Sequence, residues 1–411
     1  MTNGLTRFAI AVPRLRAGAL IAGLILAVPA HAKTVAPPPP FQPWLETLRA
    51  EAAKRGIRGA TLDVVLTRVK PIPRVIELDR RQPEFTLTMG GYFRRAINDK
   101  RIAKGRAMLK KHKALLSRVA AKFGVQPRFL VSFWGLESDF GRVTGSFPVV
   151  GALVTLAHDR RRAKFFREQL LAVLKLIDQG HVPATVKGSW AGAMGNHQFI
   201  PTTYRGYAVD FDGDGKRDLW NSLPDIFASA ANYLSRSGWD KERTWGREVK
   251  IPAGFDIALA GMDTRKSLTE WAKLGIHRPD GKALPKVDVE GSVLLPAGYR
   301  GPAFVVYKNY RTTMVWNRSH LYALAVGHLA DRFIGKGPLQ GKLSDADSLT
   351  RQNILEMQRL LARKGFDPGT PDGRVGPMTR NAIKGYQTKV SLPPDGFPTM
   401  ALIKHLRGGS Q

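Results

Sequence analysis

The segment Gln126-Pro-Arg-Phe-Leu-Val-Ser-Phe-Trp-Gly-Leu-Glu-Ser-Asp-Phe-Gly141 constrains this chain more than any other. Pro127 suits the first turn of a helix, where its missing N–H costs nothing, and Gly141 suits the stop. Almost every side chain between them is apolar, so the helix must be wrapped by other elements. One carboxyl group, Glu137, lies near its C-terminal end. Trp134, Phe133 and Phe140 would strip water from a carboxylate there, and the negative end of the helix dipole also disfavours charge. Both effects raise the pKa. A glutamic acid still protonated near neutral pH is the general acid that glycosidic bond cleavage needs. From the helix alone, a solvated helix-end glutamate is the plainer alternative.

Glycoside hydrolysis ordinarily uses two carboxyl groups across the scissile bond. Asp139 is the obvious second candidate, but two residues along a helix it points to another side, where it would cap or pair locally. A mechanism with a single carboxyl group therefore has to be considered. Downstream lies Gly188-Ser-Trp-Ala-Gly-Ala-Met-Gly-Asn-His-Gln-Phe-Ile-Pro201. Small residues there let a ligand approach the backbone closely. Ser189 and Gln198 offer neutral hydrogen bonds suited to sugar hydroxyl and acetamido groups. A plain tight loop is the alternative, and His197 reads as incidental.

Asp210-Phe-Asp-Gly-Asp-Gly-Lys-Arg-Asp218 has the spacing of a calcium loop. Acids fall at positions 1, 3, 5 and 9, glycine at 6, and Lys216 can offer a carbonyl at 7; position 12 is Asn221, where a bidentate glutamate should stand. The two readings are a structural Ca2+ site and a solvated Asp/Gly turn. The chemistry read from Glu137 requires no cofactor.

The formal net charge is +31, from 64 basic against 33 acidic residues in 411. Nucleic acid and an anionic polymer such as the cell wall both fit so basic a surface. The N-terminus separates them. Arg7, Arg14 and Arg16 precede the apolar run Ala17–Val28, and Ala30-His31-Ala32 forms an A-x-A cleavage pattern. That is a secretory leader, too short for a membrane span, with cleavage expected after Ala32 and an uncleaved anchor as the alternative. An exported protein meets peptidoglycan and rarely nucleic acid. The sequence contains no cysteine, which excludes disulfides, thiolate metal sites, a cysteine nucleophile and a lipid-modified cysteine. The mature chain is expected to be periplasmic, soluble or wall-associated, monomeric and without a membrane span.

Pro37–Pro40 reads as a stiff spacer within residues 33–43. Residues 44–334 form the main domain, mostly helical, with Trp44, Leu45 and Leu48 on one face and Met108, Leu109, Leu115 and Leu116 on another. Within it, about 249–315 reads as a β-rich insertion carrying strands Val287–Glu290 and Phe304–Tyr307 and a turn at Pro296-Ala297-Gly298. Residues 335–349 read as a linker and 350–408 as a small three-helix unit, small but feasible as an independent core. The fold class is mainly α, in the α+β sense.

Three segments, Trp134-Gly-Leu-Glu-Ser-Asp-Phe-Gly141, Ala191-Gly-Ala-Met-Gly-x-x-Gln-Phe-x-Pro201 and Asn317-Arg-Ser-x-x-Tyr322, resemble the membrane-bound lytic murein transglycosylase B family. The similarity runs in order from about Trp44 to Phe333. It implies a lysozyme-like catalytic domain that cleaves the β-1,4 bond between N-acetylmuramic acid and N-acetylglucosamine without water. Glu137 would protonate the leaving oxygen and then, as carboxylate, take the proton of the muramic C6 hydroxyl. That hydroxyl attacks its own anomeric carbon and leaves a 1,6-anhydro end. An internal nucleophile has a high effective molarity, so no second carboxylate is required.

By position in the family, Ser189 and Gln198 bind sugar, with Tyr233, Asn317 and Tyr322 in the same cleft. Arg161 and Phe165 sit where the family has an arginine pair and an aromatic; Phe165 departs from the family's tyrosine. Asp225 would close the metal loop. Residues Leu355–Leu406, through Met357-Gln358, Gly365-Phe366, Asp372-Gly-Arg-Val-Gly376, Thr379 and Tyr386-Gln387, resemble the three-helix peptidoglycan-binding domain, which would hold the enzyme near its polymer. A packing unit without ligand is the alternative there. Rival readings of the whole chain are a hydrolytic muramidase, a non-catalytic peptidoglycan-binding scaffold and, least, a basic nucleic-acid binder.

Overall fold

The computed structural model describes residues 37–81, 88–343 and 349–408. The leader expected over 1–32 lies outside the described residues. The first half of the chain is helical: α1 (Phe41–Lys54), α2 (Gly59–Leu66), α3 (Pro73–Arg81), α4 (Met89–Ala96), α5 (Asp99–Lys111), α6 (Lys113–Phe123) and α7 (Pro127–Ser138). After β1 (Phe147–Pro148) come α8 (Val149–His158) and α9 (Ala163–Asp178), then β2 (Lys187–Gly188), α10 (Pro201–Tyr207) and α11 (Leu223–Arg236). The main domain thus begins at Phe41, inside the segment read as spacer, because Phe41 and Trp44 stack on each other at 5.9 Å and both meet the His158 ring. The basic stretch around Met108 is two helices, not one, with the break at His112.

Two helical cores result. One gathers α4–α7, α11 and α14 (His320–Phe333). The other gathers α1–α3 and α8–α10. The partly buried Trp316 packs against both. It closes α13 (Lys308–Trp316), the helix that leads back from the β-rich part.

That β-rich part is an antiparallel sheet in the order β3 (Gly246–Val249), β6 (Ala303–Val306), β5 (Glu290–Leu294) and β4 (Lys266–Ser267). Gly246 pairs with Val306 and Val293 with Val305. The short α12 (Leu268–Lys273) follows β4 and buries Trp271, whose indole donates to Gly291 O at 2.9 Å. The sheet starts at Gly246 and ends at Val306, so residues 308–315, read as part of the β-rich insertion, are helical. The strand expected at Val287–Glu290 begins only at Glu290. Burial decides this: Val287 is exposed, while the residues after Glu290 are buried. The turn at Gly298 (φ 76°) stands where the sequence indicates it.

The C-terminal unit packs α15 (Arg351–Arg363), α16 (Pro377–Lys389) and α17 (Met400–Leu406) around Ile354, Met357, Leu361, Ile383 and Ile403. Its sequence pattern is structural. Gln358 Oε1 accepts from Asp372 N at 3.0 Å and Gly373 N at 2.9 Å, and its Nε2 donates to Thr379 Oγ1 at 3.1 Å. The unit touches the β-rich part directly: Asp395 Oδ2 accepts from Tyr299 N at 3.0 Å and Lys384 Nζ donates to Ala260 O at 3.1 Å.

Helix α14 lies so close to the start of β3 that only glycine fits at 327. A Cβ there would fall 2.2 Å from Cδ2 of the buried Trp245, whose indole nitrogen donates to Asp331 Oδ2 at 3.1 Å. Gly327→Ala is therefore expected to destabilise the chain by about 1–3 kcal/mol, the usual cost of overpacking a tight core. A thermal melt that matches wild type would contradict this packing.

Candidate active site

Helix α7 carries the central residue. Pro127 occupies its first turn as the sequence indicates, but the helix stops at Ser138, three residues before Gly141. Asp139 (φ 52°) and Phe140 (φ 60°) already take left-handed backbone, at a cost of roughly 1–2 kcal/mol each. The compensation is visible. Phe140 folds back edge-on to Trp134 at 5.6 Å and covers Gly135, where a Cβ would come within 2.8 Å of its ring. Ser138 Oγ accepts from Gly141 N at 2.9 Å. The early stop leaves Glu137 in the last turn, facing the junction of the two helical cores.

Glu137 Oε1 accepts two hydrogen bonds, from Trp316 Nε1 at 2.9 Å and from the Tyr322 hydroxyl. Burial raises its pKa from 4.5 to about 7, and the two donors pull in the opposite direction without winning. Burial, together with the Glu137 charge, also pushes the Tyr322 phenol well above its ordinary value, so it stays a donor. Asp139 is not a second acid for this site. Burial opposes its ionisation, but the hydrogen bond from Arg142 at 2.6 Å and the charges of Lys104, Arg142 and Arg101 hold its pKa below the ordinary value. His197 is buried and its pKa falls to about 4 by desolvation, so it is neutral at physiological pH.

Tyr322 reaches Glu137 through local cap chemistry. Asn317 Oδ1 accepts from Ser319 N at 3.1 Å, and Ser319 Oγ, the N-cap of α14, accepts from Tyr322 N at 3.3 Å. Trp316, the residue just before this motif, is the functional side chain that sequence reasoning missed. Its ring meets Phe133 at 4.6 Å, Tyr233 at 5.0 Å, Phe199 at 5.4 Å and His197 at 6.0 Å. A tryptophan abutting a polar motif was the only available signal. Tyr207, at 4.6 Å from Tyr233, extends the same aromatic wall.

The loop after β2 presents Ser189 and Gln198. Ser189 Oγ accepts from Ala193 N at 3.0 Å and from Ala191 N at 3.3 Å, so its O–H remains to donate outward. Gln198 (φ 51°) spends its Nε2 on Gly195 O at 2.9 Å and Thr144 O at 3.0 Å, which leaves Oε1 as an acceptor. The loop closes on α7 through Asn196, whose Oδ1 accepts from Trp134 Nε1 at 2.7 Å. Gly145 (φ 103°) is forced by the same closure, since a Cβ would fall 2.0 Å from the Gly188 carbonyl carbon.

Arg161 and Phe165 stand apart from this group. Arg161 and Arg162 clamp the buried Asp79, with Arg161 Nε at 2.9 Å from Oδ2. Phe165 is 46% exposed and touches Phe166 edge-on at 5.1 Å. Among the described residues no hydrogen bond or ring contact joins either to Glu137.

The Asp-rich loop folds into a cradle. Carboxylate oxygens of Asp210, Asp212, Asp214 and Asp225 lie within 4.8 Å of one another. Asp210 accepts from Gly213 N at 2.7 Å and Gly215 N at 2.9 Å; Asp225, in the first turn of α11, accepts from Phe211 N at 2.7 Å and Asp218 N at 2.8 Å. Asp225 is fully buried, and desolvation with the charges of Asp212 and Asp210 raises its pKa. Asp218 faces elsewhere: its oxygens accept from Trp220 N at 2.8 Å, Asn221 N at 3.0 Å and Asn221 Nδ2 at 2.9 Å. Positions 9 and 12 of the loop thus bond each other instead of completing an EF-hand. Among the described residues no basic side chain pairs with the four acids, so the set fits an oxygen-seeking divalent cation.

Residues 40–331 match the transglycosylase SLT domain family, and 350–406 match a peptidoglycan binding domain. The chain is 31% identical over 295 residues to membrane-bound lytic murein transglycosylase B of Escherichia coli K12, covering 67% of this chain and 78% of that protein. It superposes with a TM-score of 0.85 on SltB3 from Pseudomonas aeruginosa, crystallised with NAG-anhNAM-pentapeptide, at 46% identity over 89% of this chain and 99% of that one. It also matches the Escherichia coli lytic transglycosylase Slt35 in complex with calcium, with a TM-score of 0.60 and 28% identity over 71% of this chain and 93% of that one. The chain belongs to the SLT-type lytic transglycosylase family and carries a peptidoglycan-binding-type domain at its C-terminal end.

Proposed function

We propose that this chain cleaves the β-1,4 bond between N-acetylmuramic acid and N-acetylglucosamine of peptidoglycan, leaving 1,6-anhydromuramic ends. The observation that carries the reading is one carboxyl group, Glu137, poised near neutrality with no second acid in its hydrogen-bonded group among the described residues. The protonated Glu137 gives its proton to the leaving glycosidic oxygen. Trp316 and Tyr322 then stabilise the carboxylate they already bond. That carboxylate takes the C6 hydroxyl proton as C6 oxygen attacks the anomeric carbon, which returns Glu137 to its acid form. A group with a pKa near the working pH can do both in turn. Ser189 donates to the substrate and Gln198 Oε1 accepts from it. Tyr233 and Trp316 offer ring faces, and Asn317 with Tyr322 closes the wall. In this reading Arg161 and Phe165 touch the strand farther along, outside the cleavage centre.

Asp210, Asp212, Asp214 and Asp225, with the Lys216 carbonyl, hold a structural Ca2+, which supplies charge balance for the cradle and no step of the reaction. The enzyme reaches the periplasm by its cleaved leader, and residues 350–408 raise its concentration at the wall. A hydrolytic muramidase is the competing reading. Mass spectrometry of digested sacculi separates the two, because anhydro ends lack one water.

Glu137→Gln should reduce turnover by about three orders of magnitude, since an amide cannot shuttle a proton, while the melting temperature holds. Activity within a few-fold of wild type would sink this mechanism. Because the acid form starts the reaction and its pKa is about 7, kcat/KM should be flat below that pH and fall above it. Tyr322→Phe removes a donor that favours the carboxylate, so its falling limb should move to higher pH. An unmoved limb would mean that Tyr322 does not act on Glu137. Chelation with EDTA should lower the melting temperature, Ca2+ but not Mg2+ should restore it through a stabilisation of about 2–3 kcal/mol at a hundredfold excess over Kd, and Asp225→Asn should abolish the response. A melting curve indifferent to both ions removes the calcium claim.

A further inference from the structure

A concavity that the reaction at Glu137 does not use adjoins the loop after β2. It has a volume of about 640 Å3 and is lined from the β1–β2 side by Thr144, Gly145 and Lys187 and from the Asp-rich loop by Gly215 to Asp218. The half-buried Trp220 completes the lining beside Lys216 and Arg217, and Lys187 is exposed. Two links tie it to the cleft. Thr144 O accepts from Gln198 Nε2 at 3.0 Å. Lys187 belongs to β2 and stands two residues before Ser189, at most about 7 Å along the chain.

The chemistry of this pocket is cationic and unspent. Among the described residues, the side chains of Lys187, Lys216 and Arg217 make no ion pair and no hydrogen bond, in contrast to Arg161 and Arg162 on Asp79. The one acid in the wall, Asp218, has both oxygens engaged by Trp220 N, Asn221 N and Asn221 Nδ2. The pocket therefore presents positive charge at a concave surface, where it acts more strongly than on an open face. The sugars of a peptidoglycan strand cannot be its ligand by charge. N-acetylglucosamine is neutral, and N-acetylmuramic acid becomes neutral once its lactyl carboxyl is joined to peptide. The negative charge of the strand sits in the carboxylates of that peptide.

We infer that this pocket binds the peptide-stem carboxylates of the strand being cut, with Lys187 and Arg217 as specificity-determining residues. The inference rests on the transglycosylase reading, since it needs a glycan strand in the neighbouring cleft. Charge-assisted hydrogen bonds from the two side chains orient the stem, and binding of the stem registers a peptide-bearing muramic residue against Glu137.

The test compares the full-length enzyme with Lys187→Ala/Arg217→Ala on two soluble substrates, peptide-bearing glycan oligomers and the same oligomers stripped of peptide by an amidase. The double variant should raise KM on the peptide-bearing oligomers about tenfold with kcat unchanged, and leave both constants unchanged on the stripped ones. Neutralising the peptide carboxylates by amidation should erase the wild-type preference for the peptide-bearing oligomers. Equal losses on both substrates, or no loss on either, would overturn the inference. A more conservative Lys187→Gln/Arg217→Gln pair with a wild-type melting temperature guards against misfolding. If wild type cuts neither substrate, the transglycosylase reading itself falls, an outcome distinct from failure of the pocket.

Discussion

A carboxyl group that must hold a proton at neutral pH, yet stabilise its own anion a moment later, requires two opposed environments at once. Desolvation supplies the first and hydrogen-bond donors the second. Here burial raises the Glu137 pKa to about 7 while Trp316 and Tyr322 donate to the same oxygen. Either influence alone would spoil the site. Burial without donors would leave the anion too costly to form, and donors without burial would leave no proton to give. The rest of the catalytic domain can be read as the means of maintaining this balance.

Each helical core supplies one side of it. The α7 core buries the helix that carries Glu137 and fixes α14, which brings Tyr322. The α8–α9 core supports the loop that presents Ser189 and Gln198. Trp316 packs on both, so its indole position reports how the two cores meet. The β-rich part has a mechanical role in this arrangement. Tyr307 N donates to Trp245 O at 2.8 Å, and α13 runs directly from that point to Trp316. A distant sheet is thereby tied to the donor on Glu137. The aromatic contacts around Trp316 give both the dry environment and a set of ring faces suited to sugars.

Local signals in the sequence were reliable where one interaction decides the outcome. Pro127 marks the start of α7, and the pattern over 350–408 marks the three C-terminal helices. They failed where packing competes with propensity. Gly141 is the natural stop for α7, yet Phe140 folding over Gly135 ends the helix at Ser138. The alternating run at Val287 looks like a strand, yet burial begins only after Glu290. EF-hand periodicity selects Asp218 and Asn221, yet those two bond each other, and Asp225 enters from the next helix.

The sequence alone placed a lone glutamate on an apolar helix with small polar loops downstream, and the resemblance carried by those motifs, not the residue types by themselves, pointed to acid catalysis on peptidoglycan. The tertiary structure decided which groups act on one another. Glu137 and Trp316 are 179 residues apart, Glu137 and Tyr322 are 185 apart, and no periodicity reaches across such distances. A pKa is a property of what surrounds a group in space, so the acid could be named from the chain, but its poise near neutrality only from the fold.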